Sequence, residues 1–142
     1  MCHIRFVCSK IIAYTIGNTN STYLTKQTVK KAVVDRQPKE NLLFHSDRGN
    51  NYISKTFQKY MKDLKITQSF SRAGMPYDNS VMESFFKTFK QEEFYRKNYQ
   101  SEKDFKNSIS RYFDYYNTER LHSLNNYRTP ERKEVDFYCK QV

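Results

Sequence analysis

The chain has 142 residues, 37% of them hydrophobic, which is enough to bury a core within one domain. Its 3 glycines and 3 prolines exclude a fibrous or disordered polypeptide. A formal net charge of +10 favours a polyanionic partner, nucleic acid before membrane, over a surface that is basic only for solubility. No apolar stretch approaches the ~20 residues that span a bilayer. The three cysteines, Cys2, Cys8 and Cys139, lack a paired CxxC pattern and are typical of reduced thiols in a cytoplasmic protein.

The first part of the chain alternates strand and helix patterns. Residues 10–16 are rich in Ile and Tyr and predict a strand, with residues 4–7 as its hairpin partner. A helix is predicted over residues 22–34, ending near Pro38. Residues 42–46 form an apolar run that is too short for a helix and predicts a buried strand.

The middle of the chain continues the alternation. Residues 48–50 predict a turn, and residues 56–64 a helix whose apolar side chains recur on one face. Residues 66–70 predict a short strand, and residues 74–79 have the composition of a loop.

The last part is predicted to be helical. One helix carries an apolar stripe, and Ser101 is predicted to cap the next one. A further turn is predicted to start at residues 129–131. The chain therefore predicts a single α/β domain, with a core over roughly residues 1–100 and a helical segment over residues 101–142. The stripe of the first helix consists of Met82, Phe85, Phe86 and Phe89, and the buried side of the second consists of Phe105, Ile109, Tyr112, Phe113 and Tyr116.

Two acidic residues, Asp47 and Glu83, have surroundings that suggest chemistry. Asp47 follows a predicted strand, where open α/β sheets place their ligands, but it also begins ordinary turn chemistry. Glu83 lies in the first turn of a predicted helix and would equally complete a capping box with Ser80. The 35 residues between the two acids allow a strand end and a facing helix to share a divalent cation at a phosphodiester. Position alone leaves both interpretations open.

The helix surface beside Glu83 carries two lysines. Lys87 and Lys90 lie four and seven residues after Glu83 and share its face. An acid followed by a row of lysines can hold a metal beside a phosphate backbone. The alternative is a plain Glu–Lys pair on a solvated helix, which contributes only about 0.3–0.5 kcal/mol.

Three motifs together resemble one known family. They are HSDRGNNY at residues 45–52, YDNSVMESFF at residues 77–86 and YNTERLH at residues 116–122. In order and spacing they closely resemble the catalytic core of bacterial insertion-sequence transposases of the retroviral-integrase superfamily, which has a D-D-35-E signature. The resemblance extends over nearly the whole chain.

The resemblance implies a ribonuclease-H-like fold, a mixed sheet flanked by helices. It also implies divalent-metal phosphoryl transfer on DNA with Mg²⁺ or Mn²⁺, in which Asp47 and Glu83 match the second and third acids of the catalytic, metal-binding triad. His122 is expected to be structural or to contact phosphate. The predicted DNA-binding residues are Arg48, Lys87, Lys90, Arg120 and His122, and the predicted neighbours of the active site are His45, Asn51 and Asn79.

One part of the family's pattern is missing from this sequence. The family's first Asp lies on the first strand of the sheet, but no residue before Asp35 is acidic, and Asp35 is predicted on a helix. The resemblance therefore predicts an N-terminally truncated fold without its first strand. Three acids can hold two cations ~3.5–4 Å apart. With only two acids, we expect the site to bind a single, mostly hydrated cation, and to bind it weakly.

Three functions follow as hypotheses. The first is a transposase or integrase core for DNA transposition, incomplete in this chain and inactive alone. It would act on transposon ends and target DNA as a homo-oligomer, in the cytoplasm at the nucleoid and away from membranes. The second is a catalytically inactive remnant that only binds DNA non-specifically. The third, an unrelated basic α/β scaffold, would require the three motifs to be coincidental.

Overall fold

The computed structural model describes residues 9–38, 42–71 and 80–139. Within these ranges the chain forms two compact units. The first contains the described part of residues 12–80, and the second contains residues 81–139 together with residues 9–11. The division into a core and a helical segment near residue 100 stays a prediction.

The first unit is an α/β unit of five elements. Ser21 caps its first helix, because its hydroxyl accepts the Leu24 N–H at 3.3 Å. That helix ends at Gln37, whose backbone is left-handed, and Pro38 follows. The helices predicted over residues 22–34 and 56–64 and the strands predicted over residues 42–46 and 66–70 are confirmed to within two residues at each end, and α2 was not predicted. The elements are α1 (Thr22–Arg36), β1 (Leu43–Ser46), α2 (Asn50–Ile53), α3 (Lys55–Asp63) and β2 (Thr67–Phe70).

The two described strands are parallel. Leu43 lies opposite Thr67, and Ser46 lies opposite Phe70. Helices α2 and α3 form the crossover connection that parallel pairing requires. Beyond the strands, the Ser71 N–H donates to the Ser46 carbonyl at 2.9 Å and extends the ladder. The residue after Ser46 therefore stands at the carboxyl edge of the sheet, where α/β folds place ligands.

A hydrophobic cluster holds β1 to the surrounding helices. The rings of Phe44, Tyr52 and Phe57 surround one another with centroids 5.7–5.9 Å apart. Phe57 and Met61, one turn apart on α3, have no exposed surface, and burying such a side chain stabilises a fold by ~1.5–3 kcal/mol. Since Tyr52 ends the HSDRGNNY motif, it anchors the loop after β1 in the core. The buried members of the cluster are Val29, Phe44, Tyr52, Phe57, Met61 and Ile66.

The second unit consists of helices. Ser101 caps α5 as predicted, with its hydroxyl accepting the Asp104 N–H at 3.1 Å. The last helix is longer than the single turn that was predicted. Thr129 accepts the Arg132 N–H at 3.2 Å, and Pro130 occupies the first helical position, where a missing N–H costs nothing. The elements are α4 (Ser80–Phe89), a π-helical segment that continues it (Lys90–Phe94), α5 (Glu102–Thr118), a 3-10 turn (Ser123–Asn125) and α6 (Pro130–Cys139).

Aromatic rings join α4 to α5. Phe85 and Phe89 are buried, as the predicted stripe requires. The Phe85 ring lies 5.0 Å from that of Tyr116, and the Phe89 ring lies 5.3 Å from that of Tyr112. In the part of the chain that the structure describes, no helix is both long and apolar enough to cross a membrane.

The strand predicted over residues 10–16 is wrong, because none of these residues belongs to a strand. The Asn117 side chain instead forms hydrogen bonds with both backbone groups of Ile11. Its Nδ2 donates to the Ile11 carbonyl at 2.9 Å, and its Oδ1 accepts the Ile11 N–H at 2.8 Å. A side-chain amide thus satisfies the groups that a neighbouring strand would otherwise pair with. The predicted hairpin partner, residues 4–7, lies outside the described residues.

Candidate active site

Asp47 directly follows β1 and is half-buried. Its Oδ1 accepts the Gly49 N–H at 2.9 Å, so the predicted turn is confirmed. A Cβ on Gly49 would lie 3.0 Å from the same oxygen, and only glycine leaves the carboxylate uncrowded. No described residue donates to Oδ2. The turn and a ligand role are therefore compatible, because one oxygen orients the carboxylate and the other is available.

His45 lies on β1, two residues before Asp47. Its Nδ1 is 3.1 Å from the Ser69 hydroxyl, and its Nε2 is 3.1 Å from the Ser71 hydroxyl. Both ring nitrogens are thus used to join the ends of β1 and β2. This arrangement favours the predicted role of an active-site neighbour over that of a metal ligand.

The other predicted residues near Asp47 differ in their surroundings. Asn51 donates to the Asn20 side chain at 2.6 Å and accepts from the Thr22 hydroxyl at 3.3 Å, which ties α2 to the start of α1. Arg48 is exposed and forms no ion pair with the described residues, so its guanidinium is available to a phosphate. Asn79 lies outside the described residues.

Glu83, Lys87 and Lys90 are exposed residues of the helix that begins at Ser80. Within the described ranges no ion pair joins Glu83 to Lys87. Pairs with the same spacing do form elsewhere, at 2.5 Å between Glu102 and Lys106. The plain Glu–Lys pair is therefore not the arrangement seen, and all three charges are left available to ligands.

The structure describes Asp47 and Glu83 separately, because they belong to different compact units. Among the described residues, no group of three or more His, Cys, Asp or Glu side chains is arranged to hold a metal ion. Ser80 is the first described residue of α4, and the capping box between Ser80 and Glu83 stays a prediction.

The π-helical segment after α4 turns two consecutive carboxylates toward α5. The Tyr95 N–H reaches back five residues to the Lys90 carbonyl at 2.9 Å. In an α-helix, consecutive side chains point about 100° apart. The π-helical turn has more residues per turn, so Glu92 and Glu93 can both face α5. Glu93 is buried and accepts from the Ser108 hydroxyl at 2.6 Å and from Lys97 at 2.9 Å.

The neighbouring Glu92 holds Arg120. The Nε of Arg120 lies 2.9 Å from Oε2 of Glu92, Nη2 lies 2.8 Å from Oε1, and the Tyr112 hydroxyl donates to Oε2 at 2.9 Å. The Arg120 guanidinium holds the pKa of Glu92 below its usual range, and Glu92 in turn raises the pKa of Arg120. The Arg120 guanidinium would need the same N–H groups to bind a phosphate. Its use within the unit weighs against the predicted DNA contact by Arg120.

His122 packs edge-on against Tyr116, with ring centroids 4.6 Å apart. Its Nε2 is buried and has no hydrogen-bond partner in the described structure. Burial, followed by the nearby charge of Arg120, holds the pKa of His122 below its ordinary value. A neutral imidazole attracts phosphate weakly, so this geometry favours the structural role that the sequence left open.

Comparison with known families accounts for most of the chain. One family model described as "Integrase core domain" matches residues 7–76, and a second with the same description matches residues 64–130. The chain belongs to the integrase core family. Asp47 lies in the first match of this integrase core chain, and Glu83 lies in the second.

Several bacterial relatives carry transposase names. The transposase for insertion sequence element IS904 of Lactococcus lactis subsp. lactis is 32% identical over 86% of this chain and 49% of the relative. The putative transposase InsK for element IS150 of Escherichia coli K12 is 31% identical over 80% of this chain and 40% of the relative. A Lactococcus lactis protein named ATP-dependent protease is 33% identical over 94% of this chain and 45% of the relative. The chain spans less than half the length of each.

Solved structures show the same fold. The catalytic core domain of BIV integrase has a TM-score of 0.68 at 18% identity, over 95% of this chain and 84% of that one. A simian T-cell lymphotropic virus intasome in complex with the PP2A regulatory subunit B56 gamma gives a TM-score of 0.60 at 17% identity, over 76% of this chain and 38% of that one. The integrase core chain therefore has the α/β, ribonuclease-H-like fold that the motifs implied.

Sequence reasoning missed the residues that hold the helices of the second unit. The Glu93–Lys97 pair has a visible four-residue spacing, which was a usable signal. Glu92 and Arg120 are 28 residues apart, and no local pattern links them. The YNTERLH motif was noticed, but its side chains had no assigned partners until the structure placed them.

Proposed function

We propose that this chain is part of a transposase catalytic core that carries out DNA transposition by divalent-metal phosphoryl transfer. Its substrates in this proposal are transposon ends and target DNA, attacked by water or by a DNA 3′ hydroxyl. The observation that carries the proposal is that Asp47 and Glu83 fall in two overlapping integrase core matches and each keeps a carboxylate oxygen free of described partners.

The donor set fits Mg²⁺ or Mn²⁺. Carboxylate oxygens are the ligands that these hard cations prefer, and Asp47 and Glu83 would hold the ion, with the Gly49 N–H orienting the first of them. When bound, such a cation stabilises charge on the attacking and leaving oxygens of a phosphodiester. The described residues supply two carboxylates rather than a set of three, so we expect weak binding.

The DNA backbone is proposed to lie against exposed cations near the two acids. Arg48 directly follows Asp47, and Lys87 and Lys90 lie on α4 after Glu83. All three are exposed and unpaired within the described ranges. Their contacts would go to phosphates, which position DNA without reading its sequence.

Metal binding tests the proposed ligands directly. We expect the chain to bind Mn²⁺ in a spectroscopic titration, and we expect Asp47→Asn and Glu83→Gln each to weaken binding by about tenfold or more. Asp63→Asn, an exposed acid on α3, is the matched control and should bind as the wild type does. Equal Mn²⁺ affinity in all four proteins would overturn the ligand assignment.

A second function, DNA binding without catalysis, is favoured by one observation. The chain has a formal net charge of +10, and the exposed Arg48, Lys87 and Lys90 can bind phosphates without a metal ion. We expect this polypeptide alone to give no strand-transfer product with Mn²⁺ and a labelled DNA end. A fusion to the part of the Lactococcus IS904 transposase that this chain does not match should give product, and Asp47→Asn should abolish it. A fusion that binds DNA but stays inactive would favour the second function.

Assembly and location follow from the proposed activity. A transposase joins two DNA ends to a target, so we propose that the chain works as a homo-oligomer on chromosomal DNA, in the cytoplasm at the nucleoid. The fold match to a subunit of an intasome supports an assembly of several chains.

A further inference from the structure

The second unit contains a cleft that the proposed chemistry does not use. Its volume is about 680 Å³, within the ~300–1,000 Å³ typical of ligand sites. Three cationic residues, Arg96, Lys97 and Arg111, and two aromatic residues, Tyr112 and Tyr115, contribute to its lining. Arg96 and Lys97 lie in the turn after the π-helical segment, and Arg111, Tyr112 and Tyr115 lie on α5.

The two acids in the lining are already neutralised. The Glu92 carboxylate is bound on both oxygens by Arg120 and also by the Tyr112 hydroxyl. The buried Glu93 carboxylate is bound by Lys97 and by the Ser108 hydroxyl. Neither carboxylate therefore repels an incoming anion at full strength.

Arg96 and Arg111 are the cations that remain. Both are exposed, and neither lies within ion-pair or hydrogen-bond distance of a described carboxylate, although the charge of Arg96 also acts on Glu92. On α5, Lys103, Asn107, Arg111 and Tyr115 recur at four-residue spacing and are all exposed, so Lys103 adds a further cation to the helix face that carries Arg111. Guanidinium groups left unpaired at a concave surface match phosphate groups.

Tyr115 adds an exposed aromatic ring to the cleft, and a ligand made only of phosphate would have no use for it. It is 43% exposed at the cleft, and on its other side it contacts the Tyr112 ring at 6.1 Å, which limits its motion. A fixed aromatic ring beside cations is how single-stranded nucleic acids are held, since bases stack on the ring and phosphates bind the cations. A base inside a duplex has both faces covered by its neighbours, so only an unpaired base can use the ring.

We propose that this cleft binds unpaired nucleotides of a DNA strand, with phosphates on Arg96 and Arg111 and a base stacked on Tyr115. The assignment goes beyond the proposed phosphoryl transfer, because it uses neither Asp47 nor Glu83 and needs no metal. An acidic peptide would satisfy the two arginines but would leave the tyrosine ring without a role.

The first test measures binding of a fluorescein-labelled single-stranded oligonucleotide by anisotropy across a range of salt concentrations, without divalent metal. The double variant Arg96→Gln/Arg111→Gln removes two phosphate contacts, so the line of log affinity against log salt should become shallower by about 1.4. At low salt the affinity should fall about tenfold. The control Lys59→Gln/Lys62→Gln removes the same charge from exposed positions on α3 and should keep the wild-type slope. Equal slopes in the two double variants would overturn the proposal.

The second test isolates stacking. With 2-aminopurine in the oligonucleotide, binding to wild type and to Tyr115→Phe should quench its fluorescence, and Tyr115→Ala should lose the quenching and about tenfold in affinity. Affinity and quenching unchanged by Tyr115→Ala would overturn the base site. Strand binding in this test is measured without divalent metal, whereas the Mn²⁺ titration measures the proposed ligands, so failure of the metal site and failure of the cleft are separate results.

Discussion

The Asp47 carboxylate uses its two oxygens differently. Oδ1 accepts the Gly49 N–H, which closes the turn after β1, while Oδ2 has no described donor. The turn role and the ligand role looked like alternatives from position alone. In the structure the first supports the second, because a carboxylate held by a backbone N–H loses little rotational freedom when it binds a cation.

His122 should make stability depend on pH. Its folded pKa is lowered by burial, so as pH falls below about 6.5 the unfolded chain takes up a proton before the folded chain does. The contribution of neutral His122 is thus complete above that pH and is lost as pH falls toward the folded pKa. His122→Phe keeps a ring against Tyr116 and removes the titrating group. Its melting temperature should change less than that of wild type between about pH 7.5 and 5.5. Identical pH slopes would contradict this.

At the scale of elements, the YNTERLH motif clamps three segments of the second unit. Asn117 bonds both backbone groups of Ile11, and Arg120 holds Glu92 in the π-helical segment after α4. The His122 N–H donates to the Arg128 carbonyl at 3.2 Å, just before α6. Since Glu83 lies on α4, the Arg120 contact also fixes the helix that carries a proposed ligand. The motif therefore has a positioning role in this unit.

Loss of the Arg120 fork should destabilise the fold more than loss of a surface pair. Arg120→Lys cannot make the bidentate contact to Glu92, so we expect the free energy of unfolding to fall by about 1–3 kcal/mol. Lys106→Gln breaks the exposed pair with Glu102 and should have a much smaller effect. Chemical denaturation of the two variants measures both. An equal effect of the two substitutions would show that the Arg120 contact is no stronger than a surface pair.

At the scale of the whole molecule, the charge of +10 is spread over both compact units. Exposed cations lie beside Asp47, after Glu83 and around the cleft near α5. A distribution of this kind attracts DNA through phosphate contacts, so its affinity depends on salt more than on sequence.

Duplex binding should therefore weaken steeply as salt rises and show little sequence preference. Replacing the two lysines that we propose contact phosphate, by Lys87→Gln/Lys90→Gln, should reduce the magnitude of the slope of log affinity against log salt by about 1.8. The α3 double variant Lys59→Gln/Lys62→Gln serves again as the control and should keep the wild-type slope. A flat salt response of the wild-type protein would contradict both DNA-based functions.

The local features of this protein were predictable from sequence. Caps such as Ser101, the apolar stripe of α4 and the turn at Gly49 involve residues within four positions of each other, so their spacing is constrained by backbone geometry. The strand predicted over residues 10–16 was wrong because composition indicates a preference for extended backbone but cannot supply the partner strand. The Asn117 side chain bonds both backbone groups of Ile11, and the predicted partner, residues 4–7, lies outside the described residues.

By itself the sequence determined the positions of α1, α3 and both described strands, the 35-residue spacing of Asp47 and Glu83, and the motifs that mark the integrase core family. Only the tertiary structure decided which polar groups are already occupied. It paired His45 with two serines and Arg120 with Glu92, and it left Arg96 and Arg111 free beside Tyr115. These contacts join residues far apart in the chain, and local backbone geometry does not constrain such distances.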